Sequence, residues 1–121
     1  MKRHLVFTSS TELLRVPPDF VVYVMADGNY SVIVMADGEK HVVTLQLGQI
    51  ERQIAAMLDV ADNRFIRIGK SLIVNRDFIA VINPQKQKMV LSDSRSFRHE
   101  VMASKEALKA MKDLLEKEDN V

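Results

Sequence analysis

The 121 residues contain no cysteine. That excludes a disulfide framework, thiolate-bound zinc or iron–sulfur sites, and a cysteine nucleophile. It also suits a reducing compartment. Histidine is scarce: His4, His41 and His99 lie far apart with no metal-ligand spacing. No His-Glu-x-x-His, phosphate loop or Gly-x-Gly-x-x-Gly is present, so no metal or other cofactor is expected. There are only four glycines, at 28, 38, 48 and 69, and each reads as a turn or a break. Long apolar runs are missing as well. Phe20–Ala26 is strand-sized, far short of the ~18 residues a spanning helix needs. The N-terminus starts basic and apolar, but Thr8-Ser9-Ser10-Thr11-Glu12 ends the run after Leu5-Val6-Phe7. A signal peptide needs an apolar core of roughly 7–15 residues. The reading is of a cytoplasmic protein without a membrane segment.

What is present is ordinary in bulk: 47% hydrophobic and 27% charged residues, the balance of a soluble domain. The length suits one domain, which at this size buries roughly 65% of its unfolded surface. The net charge is +1 but unevenly spread. Residues 1–63 carry 5 Lys/Arg against 8 Asp/Glu, residues 64–112 carry 11 against 4, and residues 113–121 carry 1 against 4. A basic segment inside a near-neutral chain is either the footprint of a polyanion partner or ordinary fluctuation of a solvated surface.

The pattern is mostly short strands. Val21–Met25 is apolar and β-branched, Asp27-Gly28-Asn29 turns, Tyr30–Met35 is the next strand, Asp37-Gly38 turns again, and His41–Leu45 follows. Val-Met-Ala-Asp-Gly occurs at 24–28 and again at 34–38, which is strand-plus-turn spacing and predicts a β-meander. Leu47, Ile50, Ile54 and Met57 or Leu58 then fall at helical spacing, predicting a helix over about 45–58. Phe65–Ile68 reads as a strand, interrupted by Gly69-Lys70-Ser71 and resumed by Leu72–Val74. Phe78–Ile82 is a strand, Asn83-Pro84 turns the chain, and Lys88–Leu91 with Ser96–Val101 predicts a hairpin. Ser104 is placed to N-cap a last helix whose stripe is Leu108, Met111 and Leu115, with fraying expected beyond about Lys117. The fold class is therefore mainly β, of small antiparallel sheets, with one mid-chain helix and one C-terminal helix.

Enzymatic chemistry finds no footing. Lys70-Ser71 has the residues of a serine–lysine pair, but neighbours on a strand point to opposite faces. Asp27 and Asp37 pose as paired carboxylates, yet Asp-Gly in hairpin turns accounts for both. The expectation is a protein that is not an enzyme.

The middle of the chain carries a signature. Phe65-x-Arg67-x-x-Lys70-Ser71-x-Ile73-Val74-Asn75 resembles the Phe-x-Arg-x-His-(Arg/Lys)-Ser-x-x-Val-Asn run of LytTR-type DNA-binding domains. Tyr23-Val24-Met25-Ala26-Asp27-Gly28-Asn29-Tyr30 is similar to that family's Tyr-Ile-Glu-Ala-x-Gly-Asn-Tyr strand and turn. Thr44-Leu45 matches its Thr-Leu helix start, and Val101-x-Ala103-Ser104-Lys105 resembles its Val-Ser-Arg element before a terminal helix. The likeness runs over residues 10–116, leaving 1–9 as an N-terminal extension and 117–121 as a polar tail. Gly69 stands where the family usually has His, Met25 where Glu is usual, and Lys105 where Arg is usual. The last exchange keeps charge but gives up bidentate recognition.

The resemblance implies a transcription regulator, with the output domain of a response regulator as its relative. It implies double-stranded DNA as partner, read at promoter repeats by two copies, and contacts made by loops in successive major grooves. Three loops would make them: Asn29-Tyr30, Gly69-Lys70-Ser71 and Ser104-Lys105. Each is a polar break between apolar strands and so expected at the surface. Two carry a cation beside a hydroxyl, which suits phosphates and guanine edges, and Lys105 also sits in a helix's first turn, where free N–H groups bind phosphate.

Each residue has a structural reading beside the functional one. Lys70 and Lys105 are DNA contacts or solvated lysines. Ser71 is a phosphate-binding hydroxyl or a turn hydrogen bond. Arg67 is a phosphate clamp or a sheet-face ion pair. Tyr30 is a contact or strand packing, and Asn29 a contact or a positive-φ turn residue. Asn75 is read as structural, its amide capping the turn before Phe78, while Arg95, Arg98 and Lys109 add non-specific attraction. No receiver domain fits before residue 10, so either the signal comes from an upstream protein or the 121 residues are part of something longer. The alternative is a protein-interaction or ligand-sensing module on the same scaffold, motivated by Gly69, the near-neutral total charge and the acidic tail.

Overall fold

Alternation of side chains along short strands builds the centre of this protein. The computed structural model describes residues 4–121; Met1, Lys2 and Arg3 of the expected extension lie outside the described residues. β3 (Val21–Asp27), β4 (Tyr30–Met35) and β5 (Lys40–Val43) form the meander that the repeated pentapeptide predicts. β6 (Phe65–Ile68) and β7 (Leu72–Asn75) join it through β7, giving an antiparallel sheet of order β5-β4-β3-β7-β6. β8 (Ile79–Asn83), β9 (Lys88–Ser92) and β10 (Arg98–Met102) make a second antiparallel sheet, and β1 (Leu5–Thr8) pairs with β2 (Leu13–Val16) in a third. α1 (Leu47–Met57) lies mid-chain and α2 (Lys105–Glu118) at the end.

The central sheet is covered on both faces. Val24, Ile33 and Ile73 point to one side, against Leu47, Ile50 and Ile54 of α1 and Leu5, Phe7 and Val16 of the β1–β2 hairpin. Tyr23, Val34, Leu72 and Val74 point to the other, against Met89, Leu91 and Val101 of the second sheet and Leu108 and Met111 of α2. Period-2 alternation makes two cores from one strand. At Val22 the β3–β4 register slips and Val22 joins Tyr23 in the second core, as a bulge permits.

Several expectations need correction. Residues 4–9 are not a mere extension: Leu5 and Phe7 are buried core residues on β1. Neither Leu5-Val6-Phe7 nor Leu13-Leu14-Arg15-Val16 carries a clear strand pattern with turn residues of its own, so sequence pattern missed both β1 and β2. Gly69-Lys70-Ser71 does not interrupt one strand but reverses it, since Ile68 pairs with Leu72 and Arg67 with Ile73. α1 begins at Leu47, where Gln46 N–H donates to Gln49 Oε1 (2.9 Å) and stops the helix from starting sooner. α2 ends within one residue of the expected boundary. It continues to Glu118, whose carboxylate takes an ion pair from the Arg76 guanidinium.

Two caps behave as the sequence suggests. Ser104 Oγ accepts from Ala107 N–H (3.1 Å) at the start of α2. Asn75 is 1% exposed; its Oδ1 accepts from Asp77 N–H (3.0 Å) and its Nδ2 donates to the Val21 carbonyl (2.9 Å). It therefore starts the 3₁₀ turn Arg76–Phe78 and ties it to β3.

Candidate nucleic-acid interface

Strand directions decide which loops meet. β3 leads into the Gly28-Asn29 turn, and β7 leaves the Gly69–Ser71 turn antiparallel to β3, with Met25 opposite Leu72. Ala26 N–H donates to the Ser71 carbonyl (2.9 Å), so the two hairpin tips share one end of the sheet. α2 lies along β6, its Ala107, Ala110, Met111 and Leu114 facing Ile66–Gly69 across a shallow cleft. Its last turn is pinned through Glu118 to Arg76, at the far end of β7. The start of α2, with Ser104 and Lys105, is thereby directed to the same end as the two hairpin tips.

Local chemistry shapes each loop. Gly28 has φ +62° as the first of two turn residues between paired Asp27 and Tyr30. That is the position where a tight two-residue hairpin demands glycine. Asn29 is therefore not the positive-φ residue; it sits exposed at the second position. Tyr30 is 50% exposed and belongs to neither core. Gly69 also has φ +62°. A histidine, which visits this region more readily than most residues, is compatible there, and nothing lies within 4 Å of where its Cβ would stand.

Lys70, Ser71 and Lys105 are exposed, and none of their side chains has a hydrogen bond or ion pair among the described residues. Arg67 differs. Its Nε donates to the Gly69 carbonyl (3.0 Å), its Nη2 to the Lys70 carbonyl (3.2 Å) and its Nη1 to Glu51 Oε1 on α1 (2.9 Å). The planar fork bridges the turn and the neighbouring helix, the ion pair of the two readings weighed for it. Arg98 is paired with Glu100 (2.9 Å). Arg95 lies in the β9–β10 turn, at the opposite end of its sheet from Ser104.

The perturbed titratable groups sit in packing and turn positions. Burial lowers the pKa of His99, aided by Lys40, and raises that of Tyr23. The Ser96 hydroxyl and the N–H groups of Arg95, Ser96 and Phe97 hold Asp93 well below the usual carboxylate range. Among the described residues no group of His, Asp and Glu is gathered to hold a metal, and no helix is long and apolar enough to cross a membrane.

One feature escaped sequence reasoning. Lys105, Lys109 and Lys112 line one groove together with Asn83, Pro84 and Gln85 of the β8–β9 turn. The i, i+4, i+7 spacing was visible, but the turn opposite was not.

A rigid sheet that presents cations and hydroxyls on short loops defines a binding module for an anionic partner. The model of the LytTr DNA-binding domain family matches residues 11–116, and the chain belongs to that family, which is one of DNA-binding domains and not of enzymes. Among solved structures it is similar to the LytTr DNA-binding domain of a response regulator from Bacillus cereus. That likeness has a TM-score of 0.63 at 20% identity and covers 95% of this chain and 98% of the other. No curated protein matches the sequence.

Proposed function

We propose that this protein is a transcription regulator that reads double-stranded DNA with the loops at one end of its central sheet. Asn29 and Tyr30, Lys70 and Ser71, and Lys105 supply the contacts, each loop entering a successive major groove on one face of the duplex. Lys70 and Lys105 take phosphates or guanine edges, and Ser71 a phosphate oxygen. The N–H groups of the first turn of α2 add a second phosphate site beside Lys105. Arg67 is a positioning residue that holds the Gly69–Ser71 turn. The binding unit is residues 10–116 with β1 packed beneath it. Two copies act on adjacent repeats, and an upstream signalling protein provides the input.

The observation that carries this reading is the convergence of three exposed loops in which the side chains of Lys70, Ser71 and Lys105 have no partner among the described residues. A buried or self-paired set would have nothing to offer a ligand. The test is fluorescence anisotropy with the duplex upstream of the protein's own gene, against a scrambled duplex, at several salt concentrations. With roughly five phosphate contacts the log–log salt slope is about −4.5. The native duplex is preferred, and Lys70→Ala with Lys105→Ala weakens binding. Equal weak binding to both duplexes, unchanged in the double variant, sinks the assignment and leaves the protein-interaction or ligand-sensing reading.

A further inference from the structure

The groove between α2 and the β8–β9 turn is not needed by the three loops, yet it is continuous with them. Lys105 belongs to both: it stands in the first turn of α2 and lines the groove. Lys109 and Lys112 follow on the same wall, about 6 Å and about 10 Å further along the helix axis at 1.5 Å per residue. The opposite wall is the turn after Asn83, with Pro84 and Gln85. That turn stands at the Ser104 end of its sheet, because Ala103 N–H donates to the Gln87 carbonyl (3.2 Å) and Lys88 pairs with Met102. The groove encloses about 450 Å³, ample for a phosphodiester, since a water takes about 30 Å³.

Charge states the ligand's class. Three ammonium groups face one carboxylate, Asp113, in this groove. Lys109 is exposed with no partner among the described residues. Lys112 is paired with Glu116 (2.7 Å), one turn on, with both side chains more than 40% exposed, and Asp113 adds a weaker attraction. An exposed pair of this kind contributes little and yields its ammonium readily to a stronger anion.

Resting on the loop-binding reading above, we infer that this groove is a backbone track for DNA flanking the recognised sequence. Lys109 and Lys112 each neutralise a phosphate beyond those held by the loops. Asp113 opposes them, and its repulsion limits how tightly the flank is held. The track is blind to sequence, because ammonium groups on phosphates position a duplex and do not read it.

The experiment compares two duplexes: the shortest that retains sequence preference, and the same site extended by about one helical turn, ~10 bp, on each side. The parent chain is expected to show a steeper salt slope on the extended duplex, by about 1.8 for the two phosphates added by each copy that reaches a flank. The Lys109→Gln/Lys112→Gln variant loses that increment and matches the parent on the short duplex. Asp113→Asn binds the extended duplex several-fold more tightly, while Lys117→Gln, in the last turn of α2, changes nothing. If the double variant keeps the parent's slope on both duplexes, the track is refuted while loop binding stands. Equal loss on both duplexes refutes it too, by placing the lysines on the core site. An unchanged Asp113→Asn likewise counts against it. Failure of the parent to prefer its duplex overturns the loop-binding reading itself.

Discussion

Arg67→Lys separates two roles for one guanidinium. The substitution keeps the charge but loses the fork, so a lysine reaches at most one of the three acceptors Gly69 O, Lys70 O and Glu51 Oε1. The ion pair itself is partly solvated, with Arg67 and Glu51 side chains 29% and 49% exposed, and contributes about 0–1 kcal/mol. Each turn hydrogen bond, made to the exposed Gly69 and Lys70 carbonyls, adds about 0.5–1 kcal/mol net. The expected stability loss is thus about 1–2 kcal/mol, a melting-temperature drop of roughly 4–10 °C for a domain of this size. The protein stays folded at 25 °C. Affinity for DNA falls further than stability suggests, because a loosened Gly69–Ser71 turn presents Lys70 correctly only part of the time. Apparent Kd scales inversely with the competent fraction, and about 2 kcal/mol of lost restraint corresponds to a weakening of up to ~30-fold. The assay is anisotropy titration at several salt concentrations, with amide exchange at residues 69–71 as the structural readout. On the positioning reading Arg67→Lys weakens binding, residues 69–71 exchange faster, and the salt slope holds. The refuting result is retained affinity in Arg67→Lys together with a slope reduced by about 0.9 in Arg67→Met, which would make Arg67 a phosphate clamp.

Three other outcomes follow from the same structure. Asn75→Ala orphans the buried Val21 carbonyl and removes the partner of the part-buried Asp77 N–H, and destabilises by about 1–3 kcal/mol, read by urea denaturation; a loss under ~0.5 kcal/mol contradicts the buried-amide account. His99 has a folded-state pKa below its unfolded value because burial disfavours the imidazolium, so the unfolded chain binds more protons and stability rises with pH. Its contribution is complete above about pH 6.5 and is lost as pH falls through the folded-state pKa. Melting curves of the parent and His99→Gln should therefore diverge between pH 7.5 and 5.5, and parallel curves would show no such linkage. Gly69→Val, at φ +62°, costs at least about 1 kcal/mol of backbone strain, whereas Gly69→Asn costs less, since asparagine visits this region more readily; equal stability of the two by thermal melting would rule out the positive-φ argument.

Long, strongly patterned segments were legible before any coordinates. The meander over β3–β5, the β9–β10 hairpin, α1 and α2 all announced themselves by periodicity, turn residues and a serine cap. The LytTR likeness, read from motif residues, is borne out as a family match over residues 11–116. What stayed hidden was short or non-local. β1 and β2 are four residues each, and their burial depends on α1 and the central sheet, which lie far away in sequence. Gly69-Lys70-Ser71 looked like a gap because a hairpin between two apolar strands and a break within one strand have the same local pattern.

By itself, then, the sequence determined the mainly β class, the order of elements and the identity of the polar loops, since these depend on side-chain periodicity and turn chemistry within a few residues. Only the tertiary structure decided that three loops separated by dozens of residues share one end. That follows from the antiparallel pairing of β3 with β7 and from Glu118 anchoring α2 to Arg76. Tertiary structure also decided the fate of individual charges. Lys70 and Lys105 have no partner among the described residues and Arg67 is committed to a turn, because the acceptors of an arginine fork are set by which backbone carbonyls the fold brings within hydrogen-bond reach.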